Sequence, residues 1–215
     1  MFPVLLAAVS PYAFTLVPKA KITFPGAAPQ IISGPANTDQ TAVDDPWTLD
    51  QILYAPSKNA AAVRFCWDIG KYGDCETKLA RPGQPVLTLL KGNVTQLLWT
   101  ADGKYLLGAR ANTLRLWNLA GGVRTAVPTP GANEPGWVVG SLVSRIWLSL
   151  GRQGQAELCV ATTDFWSKGK TGAHRNTMTT TRYALPTLSA LTITTFPQQQ
   201  GKEAECRPFS SSDLE

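Results

Sequence analysis

At 215 residues the chain is long enough for one domain with a sizeable core, or for two small ones. Charged residues make up only 16% against 44% hydrophobic, and together with 18 Gly and 16 Pro this argues against a helical protein and for a turn-rich all-β one. The net charge of +5 is mild, and with no dense Lys/Arg stripe and no recognisable motif it excludes specific nucleic-acid binding as a reading.

The chain opens on an apolar run, Phe2–Val9, that is too short to span a bilayer. It reads either as a signal-peptide remnant at residues 1–11 or as a buried first strand; no Lys or Arg precedes it. "YAFTLV" and "AKITF" then alternate apolar and polar side chains, as strands do. Residues 25–46 are rich in Pro, Gly and polar residues and read as a connector. Three regions follow: N-terminal strands and connector over 1–46, a main body over 47–197, and a polar tail over 198–215.

The main body repeats. "ILYAPSKNAAAVRF" (52–65), "LLWTADGKYLLGAR" (97–110) and "RIWLSLGRQGQAELCVAT" (145–162) each run apolar into an aromatic, turn on small or polar residues, and run apolar again. The aromatics are Tyr54, Trp99 and Trp147, spaced 45 and 48 residues apart, which is the period of a β-propeller blade. The spacing predicts about three four-stranded blades, at 47–91, 93–128 and 137–197, that with the N-terminal strands make an incomplete ring, with an aromatic wedged between neighbouring sheets. In this alignment Cys66 and Cys159 fall at corresponding places. The third blade carries a long hairpin, "TDFWSKGKTGAHRNTMTTTRY", and Trp137 ahead of it belongs to a rim or to the core between blades.

Residues 93–122 resemble a WD-repeat blade over about 30 residues. Gly92-Asn93 stands for the opening of such a repeat, Thr100-Ala101-Asp102-Gly103 for its Ser-Pro-Asp-Gly-like turn, and Trp117-Asn118 for its Trp-Asp end. The opening has no His, the tight turn before the third strand has no Asp, and Asn118 replaces the closing Asp, so the hydrogen-bonded tetrad of that family is not carried over. The resemblance implies a binding platform, by analogy of fold alone.

Four cysteines in a chain poor in other metal ligands point to disulfides and an oxidising compartment. Cys66 and Cys75 are nine residues apart around two glycines, a spacing a hairpin can bridge; Cys159 and Cys206 follow by elimination. No CxxC occurs and His174 is the only His, so neither a metal site nor a cofactor is expected. No catalytic constellation emerges. The best candidate for contact is the basic hairpin with Trp166, Lys168, Lys170, His174, Arg175 and Arg182, which suits an anionic surface. The reading is a non-catalytic interaction or scaffold module, extracytoplasmic, with a protein partner or self-association. The alternatives are a structural subunit whose open blade edges neighbours complete, and a polysaccharide-acting propeller enzyme.

Overall fold

The computed structural model describes residues 17–36, 46–67, 74–92, 96–128, 136–151, 154–169 and 172–197. The apolar run at 1–11, Lys170 and the tail with Cys206 lie outside them. The described residues form strands and turns and no helix. A hairpin of β1 (Lys19–Ile22) and β2 (Gln30–Ser33) precedes three antiparallel four-stranded sheets. The first holds β3 (Thr48–Tyr54), β4 (Ala61–Trp67), β5 (Asp74–Ala80) and β6 (Leu87–Lys91). The second holds β7 (Gln96–Trp99), β8 (Tyr105–Arg110), β9 (Thr113–Asn118) and β10 (Val123–Ala126). The third holds β11 (Trp137–Leu150), β12 (Ala156–Lys168), β13 (Ala173–Ala184) and β14 (Ser189–Pro197). Each sheet is a meander in chain order, so short hairpin turns suffice to build it.

The sheets stack face to face because their middle strands are apolar on both sides. Ala61, Val63 and Phe65 of β4 pack with Ile22, Phe24 and Ile32 of the hairpin, while Ala62, between them in sequence, packs with Trp99, Leu106 and Trp117 of the second sheet. Leu107, Leu114 and Leu116 point the other way and meet Val143, Ile146, Leu158 and Val160 of the third sheet. Alternation of side chains along each strand thus feeds two cores from one sheet. The order is hairpin, first, second, third sheet, an open propeller-like row of blades. Gly108 lets one of them close up: a Cβ there would stand 2.9 Å from the Trp117 ring and 3.1 Å from Leu97.

The turns between the first two strands of each blade are the feature that recurs. Ala55 N–H donates to the Ala60 carbonyl, Thr100 N–H to Tyr105 and Gly151 N–H to Gln155. Each turn contains a residue at positive φ, Lys58, Gly103 and Gly154 in turn. The second turn is reinforced by side chains: the Thr100 hydroxyl donates to Asp102 Oδ1 (2.6 Å), which also accepts from Lys104 N–H (3.1 Å). Partial burial pushes the Asp102 carboxyl up, but the Thr100 hydroxyl, the Lys104 amide and the Lys104 charge outweigh it and hold it below the usual carboxylate value.

These turns correct the aromatic register. Tyr54 and Trp99 both end a first strand immediately before the turn, but the residue at that place in the third blade is Leu150, not Trp147. Trp147 lies mid-strand opposite Cys159, half-buried, with the Arg145 guanidinium 5.4 Å from its ring. Only Trp99 wedges between two blades; Tyr54 is 40% exposed and meets Phe24 edge-on, 6.1 Å away. The third turn is also one residue shorter, so Gln155 occupies Ala60's place. Cys159 therefore stands level with Arg64, two residues short of the place of Cys66.

Cys66 and Cys75 are direct cross-strand partners on β4 and β5 and form a disulfide. Cys159, fully buried on β12, is disulfide-bonded as well, and the partner expected for it, Cys206, lies outside the described residues.

Candidate functional site

The third sheet differs from the others in length. Its β11, β12 and β13 are 14, 13 and 12 residues long, against four to six for the strands of the second sheet. The halves near Val143, Leu158 and Val160 pack on the second sheet; the other halves, from Trp137 to Leu142 and from Thr162 to Lys168, form an extension with chemistry of its own.

A carboxylate anchors that extension. Asp164 is fully buried and accepts hydrogen bonds from Ser141 (2.6 Å), Thr162 (3.2 Å) and Thr179 (2.5 Å). The Thr179 hydroxyl also lies 3.2 Å from that of Thr195. The chain of contacts crosses β11, β12, β13 and β14. Hydroxyl donors on neighbouring strands offset the desolvation of the acid, and they do so only when the strands are in this register.

At the tip, two indoles hold one guanidinium. The Arg175 Cζ is 4.7 Å from the Trp137 ring centroid and 4.8 Å from that of Trp166; Lys168 Nζ lies 6.0 Å from Trp137. The register makes this possible, because Trp137 pairs with Lys168 and Trp166 with Arg175, and directly opposed side chains share a face. Trp166 is buried at 3% exposure and donates from Nε1 to Thr177 (2.8 Å).

The basic residues grouped by sequence are thus distributed. Lys168 and Arg175 share a face with Trp166. His174, one residue along β13 from Arg175, is exposed on the other face. Arg182 does not join them: it is seven residues from Arg175, roughly 23 Å along an extended strand. There it donates from Nε to Glu157 Oε2 (2.7 Å) and forms a second, very short contact to the same oxygen. Glu157 is buried and takes up its charge. Trp137, which the sequence left between rim and core, is the tip ring that completes the Arg175 sandwich. The signal for it lies in the pairing of β11 with β12, which no linear spacing displays.

The opposite face of the extension is apolar and open. Val138 is 70% exposed, Leu142 46% and Phe165 48%. Phe165 pairs with Gly140, and the three side chains share one face around that glycine, where an added Cβ would meet nothing within 4 Å. The hydroxyl of Thr163 and the ring of His174 belong to the same face. Among the described residues no group of three or more His, Cys, Asp or Glu is placed to hold a metal ion.

Comparison with protein-family models and with the sequences of curated proteins finds no match for the chain.

Proposed function

We propose that this protein is a non-catalytic interaction or scaffold module of the propeller type, working outside the cytoplasm. The observation that carries the reading is the apolar face of the third blade. Val138, Leu142 and Phe165 stand exposed together on strands that Asp164 locks in place. A contiguous exposed apolar patch on a rigid platform is a feature of protein-interaction surfaces. The resemblance of the second blade to a WD repeat supports the same reading: the Thr100–Asp102 turn is hydrogen-bonded, and Asn118 Oδ1 accepts from Ala120 and Gly122 N–H to close the turn between β9 and β10. The Cys66–Cys75 disulfide supports an oxidising compartment, since such bonds persist where thiols are not kept reduced.

Site-specific photo-crosslinking in the native cell tests the reading. A crosslinking side chain at Phe165 is expected to trap one discrete protein, and the same group at exposed Lys104 on the second blade is not. Absence of adducts from position 165, or equal adducts from both, overturns it.

The tip cations add a second contact to the same module. Lys168 is exposed beside Trp137, with the Arg175 guanidinium held between the two indoles behind it, a cationic tip suited to an anionic surface such as an acidic polysaccharide or an acidic protein face.

A further inference from the structure

We propose that the C-terminal segment, residues 198–206, caps the outer face of the third sheet: a disulfide from Cys206 to Cys159 holds it over the core half of that face and leaves only the tip half open for docking. The cap goes beyond the interaction-module reading, and the confinement of docking rests on that reading.

One face of β11, β12 and β13 turns toward the second sheet; on the other, the outer face, no further sheet stacks among the described residues. Burial changes abruptly along it. At the tip Val138, Leu142 and Phe165 are 46–70% exposed, as a face with nothing over it should be. Nearer the core, on the same face of the same strands, Ser149, Glu157, Cys159, Ala161 and Thr180 are at most 8% exposed. Larger neighbours do not account for this by themselves. Trp147, opposite Cys159, is itself half-buried. The Arg182 side chain, on the other side of Cys159, is only 20% exposed, although a guanidinium on the last face of a row of sheets ordinarily reaches into water. A covering layer lies over this half of the face and not over the other.

The cysteines say which segment it is. Cys159 belongs to the outer face, is fully buried and is disulfide-bonded. Cys66 and Cys75 are bonded to each other, so of the four cysteines only Cys206 is left for it. The reach suffices. Pro197, the end of β14, pairs with Thr177, and Thr177 with Asp164. Cys159 stands five residues along β12 from Asp164 and two strands across from Pro197, about 20 Å away. Residues 198–206 span up to about 30 Å when extended, enough to cross β13 diagonally over Thr180. Charge fits as well: Glu203 and Glu205 shortly precede Cys206, and exposed Arg145 lies on the outer face beside Trp147. A polar layer on the terminal unit of a stack is what keeps such a row from growing.

Peptide mapping of the unreduced full chain tests the disulfide, and photo-crosslinking within the chain tests the cap. The Cys159 and Cys206 peptides are expected to be joined in monomeric protein. A photoreactive phenylalanine replacing Trp147 is expected to attach to residues 198–206, and the same group at Phe165 is not. Where the Trp147 variant fails to fold, trypsin reads the segment directly. Cleavage after Lys202 should be about tenfold faster, or more, in a chain carrying Cys159→Ala and Cys206→Ala than in the wild type, with one circular dichroism spectrum shared by both. Cys159 joined to a second molecule, a folded Trp147 variant that does not attach to the segment, attachment of the segment to position 165, or equal cleavage rates would overturn the proposal. A partner adduct from position 165 without the cap leaves the interaction reading standing; a cap without any partner adduct removes that reading and not the cap.

Discussion

The indole Nε1 of Trp99 donates a 2.9 Å hydrogen bond to the backbone carbonyl of Leu53, 46 residues earlier in the chain. The bond ties the second blade to β3, the first strand of the first blade. The ring itself fills the core between them beside Leu79, Leu90 and Leu106. Trp99→Ala is expected to destabilise the protein by about 3–5 kcal/mol, and Trp99→Phe, which keeps most of the apolar contact and loses the donor, by about 1–2 kcal/mol. Urea unfolding of both variants checks this. Equal losses would mean that the hydrogen bond contributes nothing beyond packing.

Arg182 and Glu157 make the second strong link. The Glu157 side chain is 2% exposed, and besides Arg182 it accepts only from Gln155 Nε2 (3.0 Å) among the described contacts. Arg182→Ala would leave that carboxylate buried without its counter-charge, at a cost of about 3–5 kcal/mol. Adding Glu157→Gln to the same chain removes the stranded charge and should recover a large part of the loss. A double variant as unstable as the single one would show that the arginine acts through packing and not through charge.

Lys168 is exposed at the tip, so its substitution tests contact without disturbing the core. Lys168→Glu is expected to lower the salt at which the protein leaves a sulfated-polysaccharide column, while the loss of its exposed contact with Trp137 lowers the melting temperature by only about 2–4 °C. A variant retained like the wild type would remove the tip from any anionic contact.

The all-β class was legible because its determinants are local. Gly and Pro punctuate the chain, Asp102-Gly103 sits between two apolar runs, and the middle strands are apolar on both faces. The register of the third blade was not legible, because its aromatic, Trp147, lies three residues short of the place that Tyr54 and Trp99 hold before their turns. The recurring element is the turn hydrogen bond and the positive-φ residue within it, and Lys58 in that role carries no glycine to announce it. The distribution of the basic residues was not legible for a related reason. Lys168, His174, Arg175 and Arg182 are close in sequence, but strand alternation puts His174 and Arg175 on opposite faces, and strand length carries Arg182 away from the tip.

Cys66 and Cys75 close a short loop, and in the chain-entropy description such a closure stabilises by about 2–3 kcal/mol through the unfolded state. Replacing both by serine should therefore lower the melting temperature by about 5–10 °C. Reduction of the wild type should lower it further, since it also opens the bond of Cys159. Calorimetry with and without reductant separates the two contributions. Unchanged melting on reduction would remove the support these bonds give to an oxidising compartment.

Tyr183 supplies a prediction in pH. The side chain is 3% exposed, packed with Leu158, Val160 and Leu188 in the core between the second and third blades, and burial pushes its phenol up to about 12. The group is neutral when protonated, so the folded state holds its proton more tightly than the unfolded chain, whose tyrosines ionise near 10. Stability from this source is complete below about pH 10 and falls as the pH rises from about 10 towards about 12, by a total of about 2–3 kcal/mol. Tyr183→Phe removes the ionisable group while keeping the ring. Its stability should lose less than the wild type's over that interval, although the other tyrosines and the lysines titrate in both proteins. Denaturant titrations at pH 9 and pH 11 measure the difference directly. Parallel losses in the two proteins would mean that the phenol is solvated, and that the core between these blades is looser than its packing indicates.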